Sequence, residues 1–449
     1  MEIYNIPKPD ISKISQEKVI KIITGDFGER TDFLEFYNKT ISPTYLYWDK
    51  IQYKPTPKGY SKEEFWSAVK FMRNLHSQKT PIISENGQNF KLLKLPELEK
   101  FLHNVDLNMG GNLFMYNTDI DEKSRYRFIS RGIMEEAIAS SQLEGANTTR
   151  QAAKKLLLEG RKPKDISEMM IVNNHEAMQA LESDYKSKDI SISGIFELHA
   201  ILTKDILPIE EQGTFRTDED KIVVDDKDTG YIYHIAPKID FVQKQLKILV
   251  AFANDETSEN FIHPLVKAIM LHFWIGYLHP FTDGNGRLAR LIFYWYLLKN
   301  NYWAFSYLPI SKVIKKSAIA YGQAYLYTEQ DDFDITYFID YNIKKIKIAI
   351  DDFETYLKEK ASENAQMNKL SKSSHNFNER QIQLLQYLSL KTDESTTVKS
   401  HMTIHRITKA TAIKDLKKLE SENFLKTERR GKYVYYSGTN NILRLFSKK

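Results

Sequence analysis

The sequence predicts a mostly α-helical protein of several domains, interrupted by one β-hairpin and closed by a small basic domain that mixes helix and strand. Three observations carry this. Apolar residues recur at helical spacing through three of four regions. A β-branched run at Ile222–Val224 and an aromatic alternation at Tyr231–Tyr233 flank a DKDTG turn, the pattern of a hairpin. Charge is unevenly spread: residues 376–449 hold 15 Lys and Arg against 7 Asp and Glu, a balance of +8 that leaves −3 for the rest of a chain whose net charge is +5.

A length of 449 residues suits two to four domains with ample core. Hydrophobic content of 42%, charged content of 27% and aromatic content of 12% are ordinary for folded chains, which excludes disordered, collagen-like and disulfide-scaffold classes. With no cysteine, a disulfide framework, a thiolate nucleophile, a zinc-thiolate site and an iron-sulfur cluster are excluded too. The start, MEIYNIPKPDISKIS, lacks the succession of a signal peptide, so a cytoplasmic location is expected. The most apolar stretch, Leu291–Leu298, is too short for a hydrocarbon layer of about 30 Å and reads as a buried helix, so no membrane partner is expected.

The elements follow in order. Residues 1–125 form an N-terminal helical region with helices expected over 62–75 and 91–103, and no chemistry is legible there. Residues 126–202 carry helical segments that break at Gly160 and resume over 166–181. Within them, ISRGIMEEAIASSQLEGANTT reads as an amphipathic helix stopped at Gly145 with Glu144 in its last turn. The helix dipole disfavours a negative charge at that end, so Glu144 wants a cation. Residues 203–350 hold the densest patterning, including the hairpin. Residues 351–375 turn polar and read as a charged helix end running into a linker, and 376–449 form the basic final domain.

The most informative segment is IHPLVKAIMLHFWIGYLHPFTDGNGRLARLIFYWYLL, residues 262–298. Pro264 suits a helix start, and Pro280 forces that helix to end, which leaves His279 at its exit. Gly284 and Gly286 allow the backbone to curl its N–H groups inward, and a second helix starting near Arg287 turns its positive end to the same hollow. Arg287 and Arg290, at i and i+3, share one helix face and can both reach an anion above it. Asp283 offers a hard oxygen suited to Mg²⁺ bridging phosphates. His279 is the nearby group able to accept a proton at neutral pH. This is a phosphate cradle, but neither a Walker loop nor a Rossmann turn, since GxxxxGK[ST] is absent and no strand precedes it.

HPFTDGNGRLAR, residues 279–290, resembles the HPFx(D/E)GNGRxxR signature of Fic (Fido) domains and matches it at every signature position. The resemblance implies a helical bundle with a hairpin flap that moves AMP from ATP to a protein hydroxyl. It implies that His279 deprotonates the target hydroxyl, that Asp283 holds Mg²⁺, and that Gly284, Asn285, Gly286 and Arg287 secure the phosphates while Arg290 holds the outer one. Glycine at 286, where the kinase-like Doc branch has lysine, favours nucleotidyl over phosphate transfer. Ser140, Glu144 and Gly145 fall on the fixed positions of the inhibitory (S/T)xxxE(G/N) motif, which implies that Glu144 pairs with Arg290 and displaces the outer phosphate. Ile222, Val223 and Val224 resemble the strand of the flap that aligns a target segment. Tyr321 falls where the family sets a tyrosine against the nucleoside, while Gly322 replaces the second tyrosine of the usual pair.

Two pairs of histidines outside the loop also need placing. His401 and His405 have i, i+4 spacing without the Glu of HExxH, so metal binding is not expected of them. His199 and His272 sit on apolar helix faces and read as hydrogen-bonded core residues. The tail segment resembles a winged helix-turn-helix, with Ile407, Ala410, Ile413, Leu416 and Leu419 as its apolar stripe. That would turn Thr408, Lys409, Thr411 and Lys414 toward a DNA groove and make Arg429, Arg430 and Lys432 the wing, with a protein-binding wing domain as the alternative.

The reading is an adenylyltransferase restrained by Glu144, with ATP as substrate, Mg²⁺ as cofactor, a Ser, Thr or Tyr hydroxyl of a target protein or of the chain itself as acceptor, and DNA as a further partner. A homodimer is among the assemblies it admits. Two rivals stand beside it: an enzyme that removes AMP, and a DNA-binding regulator whose pocket senses nucleotide.

Overall fold

The computed structural model describes residues 2–25, 27–56, 59–109, 122–226, 229–256, 261–371, 377–390, 394–431 and 433–442. Most of them are helical, with three small sheets. The N-terminal part comprises β1 (Glu2–Ile3), α1 (Gln16–Thr24), α2 (Phe27–Ile41), α3 (Trp48–Ile51), α4 (Lys62–His76), β2 (Gln78–Ile83), β3 (Asn89–Leu92) and α5 (Pro96–Met109). The middle comprises α6 (Glu122–Leu143), α7 (Arg150–Glu159), α8 (Ile166–Ala180), α9 (Ile192–Thr203), β4 (Val223–Asp225), β5 (Tyr231–Ile235), α10 (Ile239–Ala253), α11 (Pro264–Leu278), α12 (Asn285–Lys299), α13 (Ile310–Lys315), α14 (Ala318–Gln330) and α15 (Thr336–Ser371). The last part comprises α16 (Glu379–Leu390), β6 (Ser395–Thr396), α17 (Val398–His405), α18 (Lys409–Ser421), β7 (Leu425–Arg430) and β8 (Tyr433–Gly438).

Helix α11 shows why the centre holds. Almost every one of its residues is buried, including Lys267 and His272, because α10, α12 and α15 pack around it. Pro264 sits in its first turn and His263 caps it, accepting from the Leu265 N–H. Burying large apolar side chains such as Phe273 and Trp274 is worth about 1.5–3 kcal/mol each, which fixes the axis from which the functional loop departs.

The N-terminal part does not stand apart. Ile6, Phe33, Trp66 and Phe90 belong to the same hydrophobic core as α11 and α12. The helix expected over 91–103 needs correction at its start: Lys91 lies in β3, where Phe90 and Leu92 are buried while Asn89 and Lys91 are only partly so, a period of two rather than 3.6. The strand holds because β2 pairs with it on one side, while the Lys91 N–H and carbonyl bond Phe333 and Ile335. The linker also needs correction. Helix α15 runs unbroken to Ser371, since no glycine or proline interrupts 336–371 and its Lys, Glu and Ala residues favour helix despite their polarity.

The final domain has its own core of Leu384, Leu385, Leu388, Leu416, Leu419, Phe424, Leu425, Tyr436 and Ile442. Its order is helix, strand, helix, helix, strand, strand, with β8 between β6 and β7. The apolar stripe of α18 is Ala412, Leu416 and Leu419. Ala410, read as part of that stripe, is exposed because Thr408 caps the helix and sets a different phase. This domain touches α6 and α7: Arg127 pairs with Glu379 at 3.2 Å, the Arg406 guanidinium lies 4.2 Å from the Tyr126 ring centre, and Lys399 Nζ donates to the Gly160 carbonyl at 3.2 Å.

Candidate functional site

The site lies where α11 ends and α12 begins. His279 adopts a left-handed conformation (φ 45°, ψ 60°) as the C-cap of α11, a common way to end a helix, and its N–H donates to the Ile275 carbonyl. Its side-chain Nδ1 lies 2.6 Å from the Gly276 carbonyl. A carbonyl only accepts, so Nδ1 carries the proton and Nε2 is the free base. Burial, and next the neighbouring His234, push the imidazole down to about 4, so it is neutral at pH 7.

The loop is braced from two sides. The Phe281 N–H donates to Asn285 Oδ1 at 3.0 Å, and Asn285 Nδ2 donates to the Phe281 carbonyl at 2.8 Å, so this side chain acts first on the loop's shape. From below, His199 Nε2 donates to the Asp283 carbonyl at 2.8 Å while its Nδ1 accepts from the Gly213 N–H at 3.0 Å, and its ring stacks on Phe281. Burial pushes His199 down to about 4, which keeps this neutral tautomer in place. His199 was legible only as a core histidine; its grip on the loop comes from a residue 84 positions away. Gly284 has φ 82°, and a Cβ there would lie 3.1 Å from the Thr203 methyl, so both conformation and space require glycine.

Helix α12 starts without a side-chain cap, leaving its first N–H groups facing the hollow. Arg287 and Arg290 are 1% and 3% exposed. Arg287 Nη1 donates to the Leu202 carbonyl, and Nη2 lies 3.6 Å from Asp283 Oδ2. Its Nε and Nη2, with Nη1 of Arg290, are buried without a hydrogen-bond partner among the described residues. Unmet buried donors of this kind are rare, and three of them around one hollow point to an anion.

Helix α6 supplies what the second arginine does hold. Arg290 Nε donates to Ser140 Oγ at 2.8 Å, and Nη2 donates to the Ser140 carbonyl at 3.1 Å and to Glu144 Oε1 at 2.8 Å. The helix ends at once: Gly145 has φ 94°, and Glu144 sits in the turn with its side chain 29% exposed. Burial works against the charge of Arg290, but Glu144 together with Tyr321 and Glu136 outweighs it and holds the guanidinium above its ordinary range. A Cβ on Gly286 would fall inside the Glu144 carboxylate, 2.7 Å from its Cδ, so Gly286 leaves the room that Glu144 fills.

Tyr321 on α14 reaches the same neighbourhood, its hydroxyl 2.7 Å from His272 Nε2. Its ring lies 5.4 Å from that of Tyr325 one turn on, and Tyr325 in turn packs against Gly276. Tyr325 was missed in the sequence, although i, i+4 spacing from Tyr321 could have found it where Gly322 left a gap. Asp283 fits a partly hydrated Mg²⁺: its side chain is half exposed and, among the described residues, is bonded to Arg287 and the Gly284 N–H, and such an ion takes one or two carboxylates with phosphate and water. The hairpin stands beside His279, with the His234 ring on β5 centred 6.0 Å from it, and the Val224 edge of β4 faces outward. Lys409, Lys414, Arg429 and Arg430 lie exposed on the distant final domain, and Lys432 falls outside the described residues.

Comparison with known proteins agrees on one stretch. Residues 189–297 match the Fic/DOC family. The protein adenylyltransferase fic-1 of Caenorhabditis elegans is 27% identical over 222 residues, 49% of this chain and 39% of that protein. The protein adenylyltransferase Fic of Nematostella vectensis is 33% identical over 107 residues, 24% of this chain and 22% of that protein. The chain thus spans well under half the length of these relatives. Among solved structures, Fic-1 of Caenorhabditis elegans aligns at 18% identity and TM-score 0.48, covering 77% of this chain and 87% of that one. The loop and both arginines fall within the stretch, residues 189–297, that is similar to the Fic/DOC family.

Proposed function

We propose that this protein transfers AMP from ATP to a protein hydroxyl and that Glu144 holds the reaction in check. The observation that carries the reading is the pair of buried arginines, with three guanidinium nitrogens lacking a hydrogen-bond partner among the described residues and a fourth occupied by Glu144. A triphosphate satisfies such donors, and a carboxylate in the same place displaces its outer phosphate.

The chemistry follows from the groups in hand. His279 Nε2 takes the proton of the incoming hydroxyl as its oxygen attacks the α-phosphorus, the bond to the bridging oxygen of pyrophosphate breaks, and pyrophosphate leaves. Its tautomer is set for this by the Gly276 carbonyl. Arg287, Arg290 and the α12 amides hold the phosphate charge, which is where phosphoryl-type transfer gains most of its rate. Asp283 would hold Mg²⁺, which supplies charge neutralisation of the phosphates when bound. Tyr321 and Tyr325 would border the nucleoside, and β4 (Val223–Asp225), entered directly after Ile222, would align the target by strand addition to its open edge.

The final domain is proposed to bind DNA through Lys409, Lys414, Arg429 and Arg430; its helix and strand order supports this. A second reading, removal of AMP, gains support from the Glu144 carboxylate standing in the same hollow, bonded to Arg290 and set against Gly286, where a carboxylate can activate water. One experiment separates the readings. The chain and its Glu144→Gly variant are incubated with α-labelled ATP and Mg²⁺. Transfer predicts labelled protein that rises in the variant and vanishes when His279 is also replaced; removal predicts that Glu144→Gly abolishes AMP release from modified protein.

A further inference from the structure

We propose that His234, a flap residue outside the signature loop, is a positioning residue for AMP transfer: it pins the flap to helices α11 and α14 and so fixes the target strand over His279. The proposal rests on the transfer reading above.

The hairpin needs such a pin. Its strands are three and five residues long, β1 adds only two more residues at the other edge, and so small a sheet is marginal in water unless it packs against a helix. Tyr231 and Ile235 are 38% and 53% exposed and Ile232 and Tyr233 are only half-buried, so β5 has no fully buried apolar anchor. His234 is half-buried in the strand like Ile232 and Tyr233, with its side chain 10% exposed, and both its ring nitrogens are engaged. Nε2 lies 2.8 Å from the Tyr277 carbonyl at the end of α11, and Nδ1 lies 2.7 Å from Glu329 Oε2 on the last turn of α14. Both partners accept, so the ring carries two N–H groups and a positive charge.

The surroundings give the pin a direction. Arg216, ahead of β4, ties the hairpin's base to the loop: its N–H donates to the Pro280 carbonyl, its Nε to the His279 carbonyl at 2.7 Å, and its Nη2 to the Pro237 carbonyl. On the outer side, β1 pairs with β5, and Gln330 beside Glu329 grips that strand's continuation through the Tyr4 carbonyl and the Ile6 N–H. Helix α14 therefore runs from Tyr321 in the nucleotide hollow to Glu329 and Gln330 under the flap, and His234 is where the flap meets it. The flap's target edge and the nucleotide are thereby set on one rigid element, and misplacing reacting groups by about 1 Å can cost on the order of 100-fold in rate.

The charged and titratable groups facing His234 are Glu329 from α14, Arg216 from the loop before β4, and His279 at the end of α11. Tyr277 lies on α11 with Glu85 behind its hydroxyl. Burial works against the imidazolium, but Glu329 and the Tyr277 carbonyl outweigh it and raise His234 above its ordinary value. The pin is therefore fully present below the ordinary histidine pKa of about 6.5 and is lost as pH rises through the higher folded value. The same charge helps to keep His279 neutral.

The test uses the full chain in a Glu144→Gly background, with α-labelled ATP and the chain itself as acceptor. His234→Ala and Glu329→Gln should each lower the maximal labelling rate by about 10-fold or more while leaving the KM for ATP within about twofold, and the double variant should be no worse than either single one. Glu329→Gln should also move the alkaline limb of the rate profile to lower pH. Unchanged rates, or an equal change in KM, would overturn the proposal. Two measurements on the braked parent chain do not depend on labelling. Nitrogen resonances of His234 should report a doubly protonated ring at pH 7 that Glu329→Gln converts to a neutral one, and that variant should speed amide exchange over Val223–Asp225 and Tyr231–Ile235 about 10-fold. A neutral ring in the parent, or unchanged exchange, overturns the pin. Absence of labelling with both signatures present would instead count against the transfer reading.

Discussion

The two basic regions of this molecule handle positive charge in opposite ways. In the signature loop, Arg287 and Arg290 are withdrawn from water, held by main-chain carbonyls, Ser140 and Glu144, and left with nitrogens that have no hydrogen-bond partner among the described residues. In the final domain, Lys409 and Lys414 stand in solvent and Arg430 pairs with Glu428 two residues away, at 58% and 57% side-chain exposure. Water satisfies the second set at little cost, so its charges tolerate many partners and specify none. A buried, incompletely bonded guanidinium requires one anion in one geometry. That is why the loop declares its chemistry while the tail declares only a tendency toward polyanions.

Breaking the buried set should have the largest effects. His279→Ala in the Glu144→Gly background should reduce labelling by about 10²–10⁴-fold with MgATP binding retained, as calorimetry and transfer rates together would register. Removing the brake should come next. Glu144→Gly should lower thermal stability without ligand, by on the order of 1–3 kcal/mol because Glu144 is partly exposed, and MgATP should restore it. A Glu144→Gly chain as stable as the parent, and no more responsive to MgATP, would show that the Arg290 pair is no restraint. Gly286→Ala sharpens the same point: its methyl would enter the Glu144 carboxylate, so the brake should loosen even with Glu144 present, giving labelling between parent and Glu144→Gly.

The pH response is smaller. His279 is held down to about 4, so its base form persists above that value, and labelling by Glu144→Gly should stay flat on descending from neutral pH and fall only as about 4 is approached. A decline centred near the ordinary histidine value of about 6.5 would contradict the buried, hydrogen-bonded tautomer. The exposed set should respond least. Lys409→Ala and Lys414→Ala should each reduce the salt dependence of duplex binding by about one unit of slope while leaving AMP transfer unchanged. Loss of transfer in either would join the two regions more closely than the contacts of Arg127, Lys399 and Arg406 with α6 and α7 require.

Much of the site was legible because its grammar is local. His279, Pro280, Gly284, Arg287 and Arg290 lie within twelve consecutive residues whose backbone rules foretell a helix exit, a curl and a helix entry. Glu144 was legible for a different reason, a carboxylate at the wrong end of a helix. What stayed hidden depends on distant partners. His199 reads as core until its ring meets Asp283, and His234 as one more hairpin residue until Glu329 arrives from 95 positions away. The strand at Lys91 is hidden from local periodicity because Phe333 and Ile335 supply its second set of bonds, and 358–371 reads as linker from its polarity although no helix breaker interrupts it.

The most direct measurement follows which phosphorus ends on protein. Glu144→Gly is incubated with Mg²⁺ and ATP labelled at either the α or the γ position, beside a second variant that also lacks His279. Label from the α position on protein, dependent on His279, with γ label leaving as pyrophosphate, is the expected result. Label carried over from the γ position, or none from either once Glu144 is gone, would contradict it.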